Sequence, residues 1–572
     1  MLRLIIQSID YMMNILLGRC DELFYILVGG KNCMKKKLWI ALLMALACVF
    51  VVSAAFAAPQ PGGILRWRLI NDPPSLDPVF SNITVATRGS NLYLETLVTT
   101  SADGKKILPL LAESWEVSDD ASVWTFHLRK GVHFQKTVLG EATLNGGREM
   151  TAEDVKYSFE RLVKMKAARV FFASSIAGYK DLNDGKVDEW SGIKVLDKYT
   201  IQFTLESSFA PFLAVMTYPN FGIVPKEDAE KWGKEFTFHP VGTGPFVLEK
   251  WDHDNLVSFR KNPDYWGKDA DGNQLPYLDG IDLVVIPDNS VAYLEFKKGN
   301  IDVLPDIPDE YYREIKKEFE GQFQEIPGLD VQYYGMNQTK PPFDNIKVRQ
   351  ALNYAVNREA ISELVLNGRY SVAKGVLPPG MPAYNPDMRC YSYNPEKAKA
   401  LLKEAGYEKG FEVTLHYNNN PRHKAIGEAV QAQLAELGIK MNLSSSEVGA
   451  HYDAVRRGDY GLFRAGWAGD YVDPDNFLYT LFYSGNIGPQ GNYSRYKNED
   501  VDTWLVDARR ETDREKRIEL YKKAEQKIVD DAVWLFLFYS TNSLVTGPNV
   551  KNVHLDFLGD YMTKLTQVYI EK

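Results

Sequence analysis

Seven residues in the C-terminal third carry a cation, a large aromatic face and a carboxylate: Arg464-Ala465-Gly466-Trp467-Ala468-Gly469-Asp470. Tyr471 follows and Asp473-Pro474 closes the stretch. Its glycines and Pro474 make it read as a turn able to present side chains into a cleft. An Arg and an Asp flanking an aromatic surface suit a ligand with a negative end, a positive end and an apolar middle. A short peptide is such a ligand. Plainer readings stand beside this one. Asp470 could be a turn former next to Gly469, Arg464 a solvated or inter-domain ion pair, and Trp467 part of a core. Arg456 and Arg457 read as a solvated charge pair.

No other stretch carries the residues of a known chemistry. The eight His (127, 133, 239, 253, 416, 423, 451 and 554) form no His-Glu-x-x-His, and there is no Cys-x-x-Cys. A Gly-x-Ser-x-Gly elbow and a phosphate-binding P-loop are both missing. Gly242-Thr243-Gly244 lacks the third glycine of a dinucleotide fingerprint and runs into Pro245, so it reads as a turn between strands. Carboxylates are abundant enough to pair by chance, but no glycosidase pair stands out. The sequence implies neither a cofactor nor a resident metal.

At 572 residues the chain exceeds one core and points to two to four domains. With 45% apolar and 25% charged residues it has an ordinary globular composition. Its 11 Trp, 32 Tyr and 28 Phe suit both cores and a cleft that stacks and hydrogen-bonds ligands. Met34-Lys35-Lys36-Lys37, the apolar run Leu38 to Val52 and Ala55-Phe56-Ala57 read as a secretory signal, with a mature start near Ala58. Residues 1–33 precede that complete signal and read as a mis-annotated extension, with Met34 the true start. A lipoprotein anchored through Cys48, after Ala45-Leu46-Ala47, is the alternative. Cleavage after Ala57 removes Cys20, Cys33 and Cys48 and leaves Cys390 without a disulfide partner. It also takes away six Lys/Arg and three Asp/Glu, leaving a net charge of −12 against −9 for the full chain. Such a surface is no nucleic-acid footprint, and no later apolar run is long enough to span a bilayer.

Strands and helices are mixed. Trp124 to Arg129 and Thr200 to Glu206 alternate apolar and polar residues, as half-buried strands do. Thr151-Ala152-Glu153-Asp154 is a capping box ahead of an apolar face made by Val155, Phe159, Leu162 and Val163. Asn394-Pro395 opens a second helix that Gly406 ends. A third runs from about His423 to Leu437 with Gly438 as its stop, and a fourth starts after Asp344. Val331 to Met336 and Val533 to Ser540 are strand-like and candidates for crossovers between lobes.

Taken together, several motifs resemble the extracellular solute-binding proteins of the peptide and nickel class, the receptor components of ABC importers. They are Pro74-Ser75-Leu76-Asp77-Pro78, Pro109 to Glu116, Trp124 to Phe134, Gly242 to Phe246, Asn262-Pro263-Asp264-Tyr265-Trp266 and the stretch Asn337 to Glu359. Residues 135–150 form a longer loop than that family's pattern. The resemblance implies an α/β fold with two lobes, the type II or Venus-flytrap periplasmic-binding-protein architecture, carrying an extra domain on one lobe. Residues 59–100, 221–330 and 536–572 would then form one lobe, 331–535 the other and 101–220 the extra domain. In the peptide receptors of this family the Asp of Trp-x-x-Asp pairs with the ligand's α-ammonium, a role that falls here to Asp470. Arg464 would meet the ligand's carboxylate and Trp467 would line a side-chain pocket. The implied protein is a monomeric periplasmic receptor without catalysis that delivers short peptides to an inner-membrane permease. An oligosaccharide, a nickel complex or another solute is the alternative cargo, and a secreted hydrolase the more distant alternative.

Overall fold

The computed structural model describes residues 62–80, 83–167, 169–305 and 307–571. The signal at 34–57, the extension 1–33 and Cys20, Cys33 and Cys48 lie outside these residues. Three sheets organise the rest. The largest has seven strands in the order Phe246–Asp252, Leu256–Lys261, Gly280–Val285, Ile64–Leu69, Val303–Pro305, Thr541–Thr546, Phe323–Pro327. Its central strand Ile64–Leu69 runs parallel to both neighbours, whereas its outer pairs are antiparallel. The second sheet has six strands, ordered Ser371–Val372, Trp534–Tyr539, Asp330–Met336, Leu462–Ala468, Glu412–Asn418, Lys440–Ser446. A four-stranded antiparallel sheet, Ala112–Val117, Val123–Leu128, Thr200–Thr204, Ile193–Asp197, builds a third layer with its own apolar core.

The helices follow their sequence signals closely. Ala152–Lys164 starts where the Asp154 carboxylate accepts the Thr151 backbone N–H (2.8 Å), and Val155, Phe159, Leu162 and Val163 are all buried. Pro395–Glu404 is capped by Asn394, and Gly406 leaves it with a left-handed φ of 83°. The helix expected from His423 spans Pro421–Ala435, because Asn420 accepts the free N–H groups of Arg422 and His423. Ile346–Ala355 is capped in the same way by Asn345.

The two strand-like segments read as crossovers are neighbours in the six-stranded sheet. The chain changes sheets just before the first, at Gly328–Leu329, and just after the second, at Ser540. The two crossings are tied together. Gly328 N–H donates to the Ser540 carbonyl (2.9 Å), and Ser540 N–H donates to Asp330 Oδ1 (2.8 Å). A Cβ on Gly328 would sit 2.3 Å from Ser540 Oγ, so a larger residue there would require that hydroxyl to rotate away.

Candidate functional site

The stretch read as a turn is mostly a strand. Leu462–Ala468 lies inside the six-stranded sheet, antiparallel to Asp330–Met336, and only from Gly469 does the chain bend away. Glycine at 466 does not break the strand. It leaves room there instead, since a Cβ at this position would lie 3.3 Å from Arg464 Nη2. Strand geometry then separates two residues that the sequence places close together. Arg464 stands opposite Tyr334 and Trp467 opposite Val331, and side chains three apart on a strand leave by opposite faces.

Trp467 and Asp470 share a wall. Both line a cavity of about 690 Å³, within the range of small-molecule sites, and Arg464 is not among its lining residues. The Arg464 guanidinium reaches Tyr452 Oη (3.4 Å). Its charge also acts on the Asp330 carboxyl, which burial lifts and Arg464 draws back down.

One residue fixes that wall. Oδ1 of the buried Asn476 accepts both the Trp467 indole N–H (3.2 Å) and the Asp470 backbone N–H (3.0 Å). Asn476 is held in turn at the start of the helix Asp475–Phe482. Asp473 anchors that start, accepting the Asp475 backbone N–H (2.9 Å) and a two-pronged contact from Arg517 (2.7 and 2.6 Å). Burial raises the Asp475 carboxyl above its ordinary range, against the pull of Arg509 at 3.0 Å.

The facing wall comes from the segment around the 3₁₀ helix Val170–Ser175 and from Phe209 and Val215. The walls touch. Arg169 makes an ion pair with Asp470, whose side chain is 12% exposed. Phe172 meets Tyr471 edge-on with centroids 5.7 Å apart, and Ala210 N–H donates to the Arg509 carbonyl (2.8 Å). The Arg509 guanidinium lies 3.8 Å from the Tyr479 ring centre and 4.6 Å from that of Phe209. Chemically, the cavity offers two carboxylates (Asp470 and Asp475), two guanidiniums (Arg169 and Arg509) and a rim of aromatic faces. Nothing in it is arranged as a nucleophile beside a general base. Among the described residues no group of three or more His, Cys, Asp or Glu could hold a metal ion, and no helix is long and apolar enough to cross a membrane.

Sequence reasoning did not single out Asn476, Arg169 or Arg509. For Asn476 a signal was present, an amide in the first turn of the helix that follows Asp473-Pro474. Arg169 is far from Asp470 in sequence, and only the fold brings them together.

Comparison with known proteins places the chain. Residues 106–489 match the family model "Bacterial extracellular solute-binding proteins, family 5 Middle". The dipeptide-binding protein of Escherichia coli is 35% identical over 523 residues, covering 89% of this chain and 96% of that protein. Heme-binding protein A of Haemophilus influenzae is 36% identical over 458 residues, covering 78% of this chain and 81% of that protein. Among solved structures, HbpA2 of Haemophilus parasuis superposes with a TM-score of 0.77 at 29% identity, covering 89% of this chain and all of that one. The periplasmic binding protein DppA of Helicobacter pylori, in complex with the peptide STSA, superposes with a TM-score of 0.69 at 32% identity, covering 90% of this chain and 99% of that one. The sheets and helices described above are therefore the two-lobed α/β fold of periplasmic binding proteins, and the chain belongs to the bacterial extracellular solute-binding proteins of family 5.

Proposed function

We propose that this protein is the receptor of an ABC importer and captures short peptides between its two lobes for delivery to a membrane permease. The observation that carries this reading is the wall built by Trp467 and Asp470. A single buried amide, Asn476, holds both an aromatic face and the backbone of a largely buried carboxylate against a cavity of small-ligand size. A carboxylate desolvated in this way favours a ligand that brings a cation and disfavours one that does not. The α-ammonium of a peptide is such a cation, and the aromatic rim gives side chains apolar surface without demanding one shape. Relatives named for dipeptides and a relative solved with the peptide STSA support the same reading. The lobes close on the ligand because it binds the closed state better. The seven-stranded and six-stranded sheets form the cores of these lobes, and the four-stranded sheet forms the extra domain. The protein acts as an exported monomer and performs no chemistry.

Native mass spectrometry of protein purified without denaturation from a peptide-rich medium tests this directly. Bound masses that fragment as di- to pentapeptides support the reading, and hexose-spaced masses sink it. Asp470→Asn is expected to weaken dipeptide binding about thirtyfold or more in calorimetric titration, as truncating one partner of a buried charge pair does. An unchanged affinity would remove Asp470 from the site.

A further inference from the structure

A second cavity lies apart from the one bounded by Trp467 and Asp470 and shares no lining residue with it. It holds about 200 Å³ among the helix Thr84–Tyr93, the strand Val98–Thr100 and the segment 562–566. That is below the roughly 300 Å³ at which pockets for drug-sized ligands begin, and suits something smaller than a peptide. Its wall is mostly apolar, with Leu92, Leu94, Leu110, Phe246 and Leu565. Arg88 is set into this wall and is 2% exposed. Its Nη1 donates to the main-chain carbonyls of Asp560 (3.0 Å) and Thr563 (2.9 Å), and the guanidinium lies over the Trp67 ring at 5.2 Å. Among the described residues its Nε has no hydrogen-bond partner. Carbonyls and a ring face do not neutralise a charge, and burial lowers the guanidinium to about 10, although Asp560 and Asp556 pull the other way.

We propose that this cavity is a second binding site, for a short-chain monocarboxylate whose head group meets Arg88 and Lys564 and whose tail packs on the apolar wall. The inference goes beyond the peptide-receptor reading and does not depend on it. Lys564, an exposed residue, lines the same cavity, and Arg88 acts on its ammonium as a like charge. Two neighbouring cations over an apolar wall favour an anion that carries a hydrocarbon tail. The carboxylate accepts the Nε–H that the protein leaves unmet and turns its charge toward Lys564. Glu95 lines the cavity as well, but it is committed to the wall. Its oxygens accept from Tyr265 (2.8 Å), Thr243 (2.8 Å) and Trp266 (3.0 Å). A neutral molecule of the same length fills the same space and leaves Arg88 as it was. Charge at one end and apolar surface at the other therefore set what the site takes.

The test is calorimetric titration of the purified protein with butyrate and with butanol, in a buffer free of carboxylates. It compares the wild type with Arg88→Met, Lys564→Met and Thr99→Phe, after thermal melts confirm that each variant is folded. The wild type is expected to prefer butyrate over butanol, which has the same tail and no charge, by about tenfold or more, the scale of one charge-assisted contact. Arg88→Met erases that preference. Lys564→Met, at an exposed position, weakens butyrate and leaves butanol unchanged. Thr99→Phe puts a ring into the cavity from its strand and abolishes binding of both. Should Arg88→Met fail to fold, the Lys564→Met and Thr99→Phe titrations decide. Equal affinity of the wild type for butyrate and butanol overturns the proposal, and so does the absence of butyrate binding. Butyrate binding that survives Thr99→Phe overturns it too, since the acid would then sit elsewhere, beside Arg169 and Arg509 for example.

Discussion

Glu525 shows how one buried group couples this protein to pH. It sits fully buried in the helix Arg514–Asp530, and its Oε1 accepts the backbone N–H groups of Val376 and Leu377, both at 2.8 Å. Those two donors favour the charged form, yet burial wins and pushes the carboxyl up to about 8. Burial likewise pushes the Asp556 carboxyl up to about 7. An acid whose folded value is raised holds its proton in the folded state after the unfolded chain has released it. Between the ordinary value of 4.5 and about 8, the unfolded state therefore binds fewer protons, and stability falls as pH rises. Thermal melts of the wild type should show a lower midpoint at pH 8 than at pH 5.5. Glu525→Gln keeps an acceptor for the two amides and cannot ionise, so its melting point should change less over the same range. An equal pH dependence in the two proteins would show that Glu525 does not titrate there. At the same scale Trp467→Ala removes an aromatic wall without touching a charge. It should weaken peptides with bulky side chains by about tenfold and small ones such as Gly-Gly far less, as read by titration.

At the scale of elements, the sequence was most legible where local chemistry decides the outcome. The Thr151–Asp154 capping box and Asn394 mark helix starts in the sequence, and those helices begin there, while Asn345 and Asn420, which the sequence reading did not name, cap two more by accepting free N–H groups. The site was less legible, because a strand and a glycine-rich turn share residues and only tertiary pairing separates them. Once Leu462–Ala468 is clamped between Asp330–Met336 and Glu412–Asn418, alternation sends Arg464 away from Trp467, and no spacing rule in the sequence foretells that. The Gly242-Thr243-Gly244 element has its own explanation. Cβ atoms on Gly242 and Gly244 would meet Tyr93 backbone atoms at 2.3 and 2.5 Å, and the Thr243 hydroxyl donates to Glu95 (2.8 Å). The glycines let one segment lie directly on the end of the helix Thr84–Tyr93. Gly244→Ala should cost about 2 kcal/mol or more, since backbone cannot move aside as a side chain can. Chemical denaturation would read this as a lower midpoint, and an unchanged midpoint would mean that the helix end shifts freely.

At the scale of the whole molecule, charged contacts also tie segments around the two large sheets to each other. Asp309, which follows a strand of the seven-stranded sheet, pairs with Arg369 (2.7 Å) and Arg422, which belong to segments around the six-stranded sheet. Asp309→Asn removes the carboxylate that both guanidiniums share and, if the two sheets belong to the two lobes as proposed above, should favour the open form. Small-angle scattering is expected to show a larger radius of gyration for the ligand-free variant than for the wild type. Peptide affinity should fall in proportion to the lost closed population. Identical scattering curves would exclude these pairs from the closure equilibrium.

The order of strands in the seven-stranded sheet has a further consequence, for how the chain comes to fold. The strand Thr541–Thr546 lies between Val303–Pro305 and Phe323–Pro327, and among the described residues Phe323–Pro327 pairs with no other strand. The seven-stranded sheet, begun at Ile64, therefore stays unfinished until residues more than four hundred positions later have been synthesised. Such long-range pairing makes folding slow. A nascent chain that has not reached Thr541 exposes a bare sheet edge, the kind of surface that holding chaperones recognise. Ribosome-stalled chains ending before and well after Thr541–Thr546 should differ sharply in protease resistance of the region around Phe323, because this strand is the last of the seven to be made.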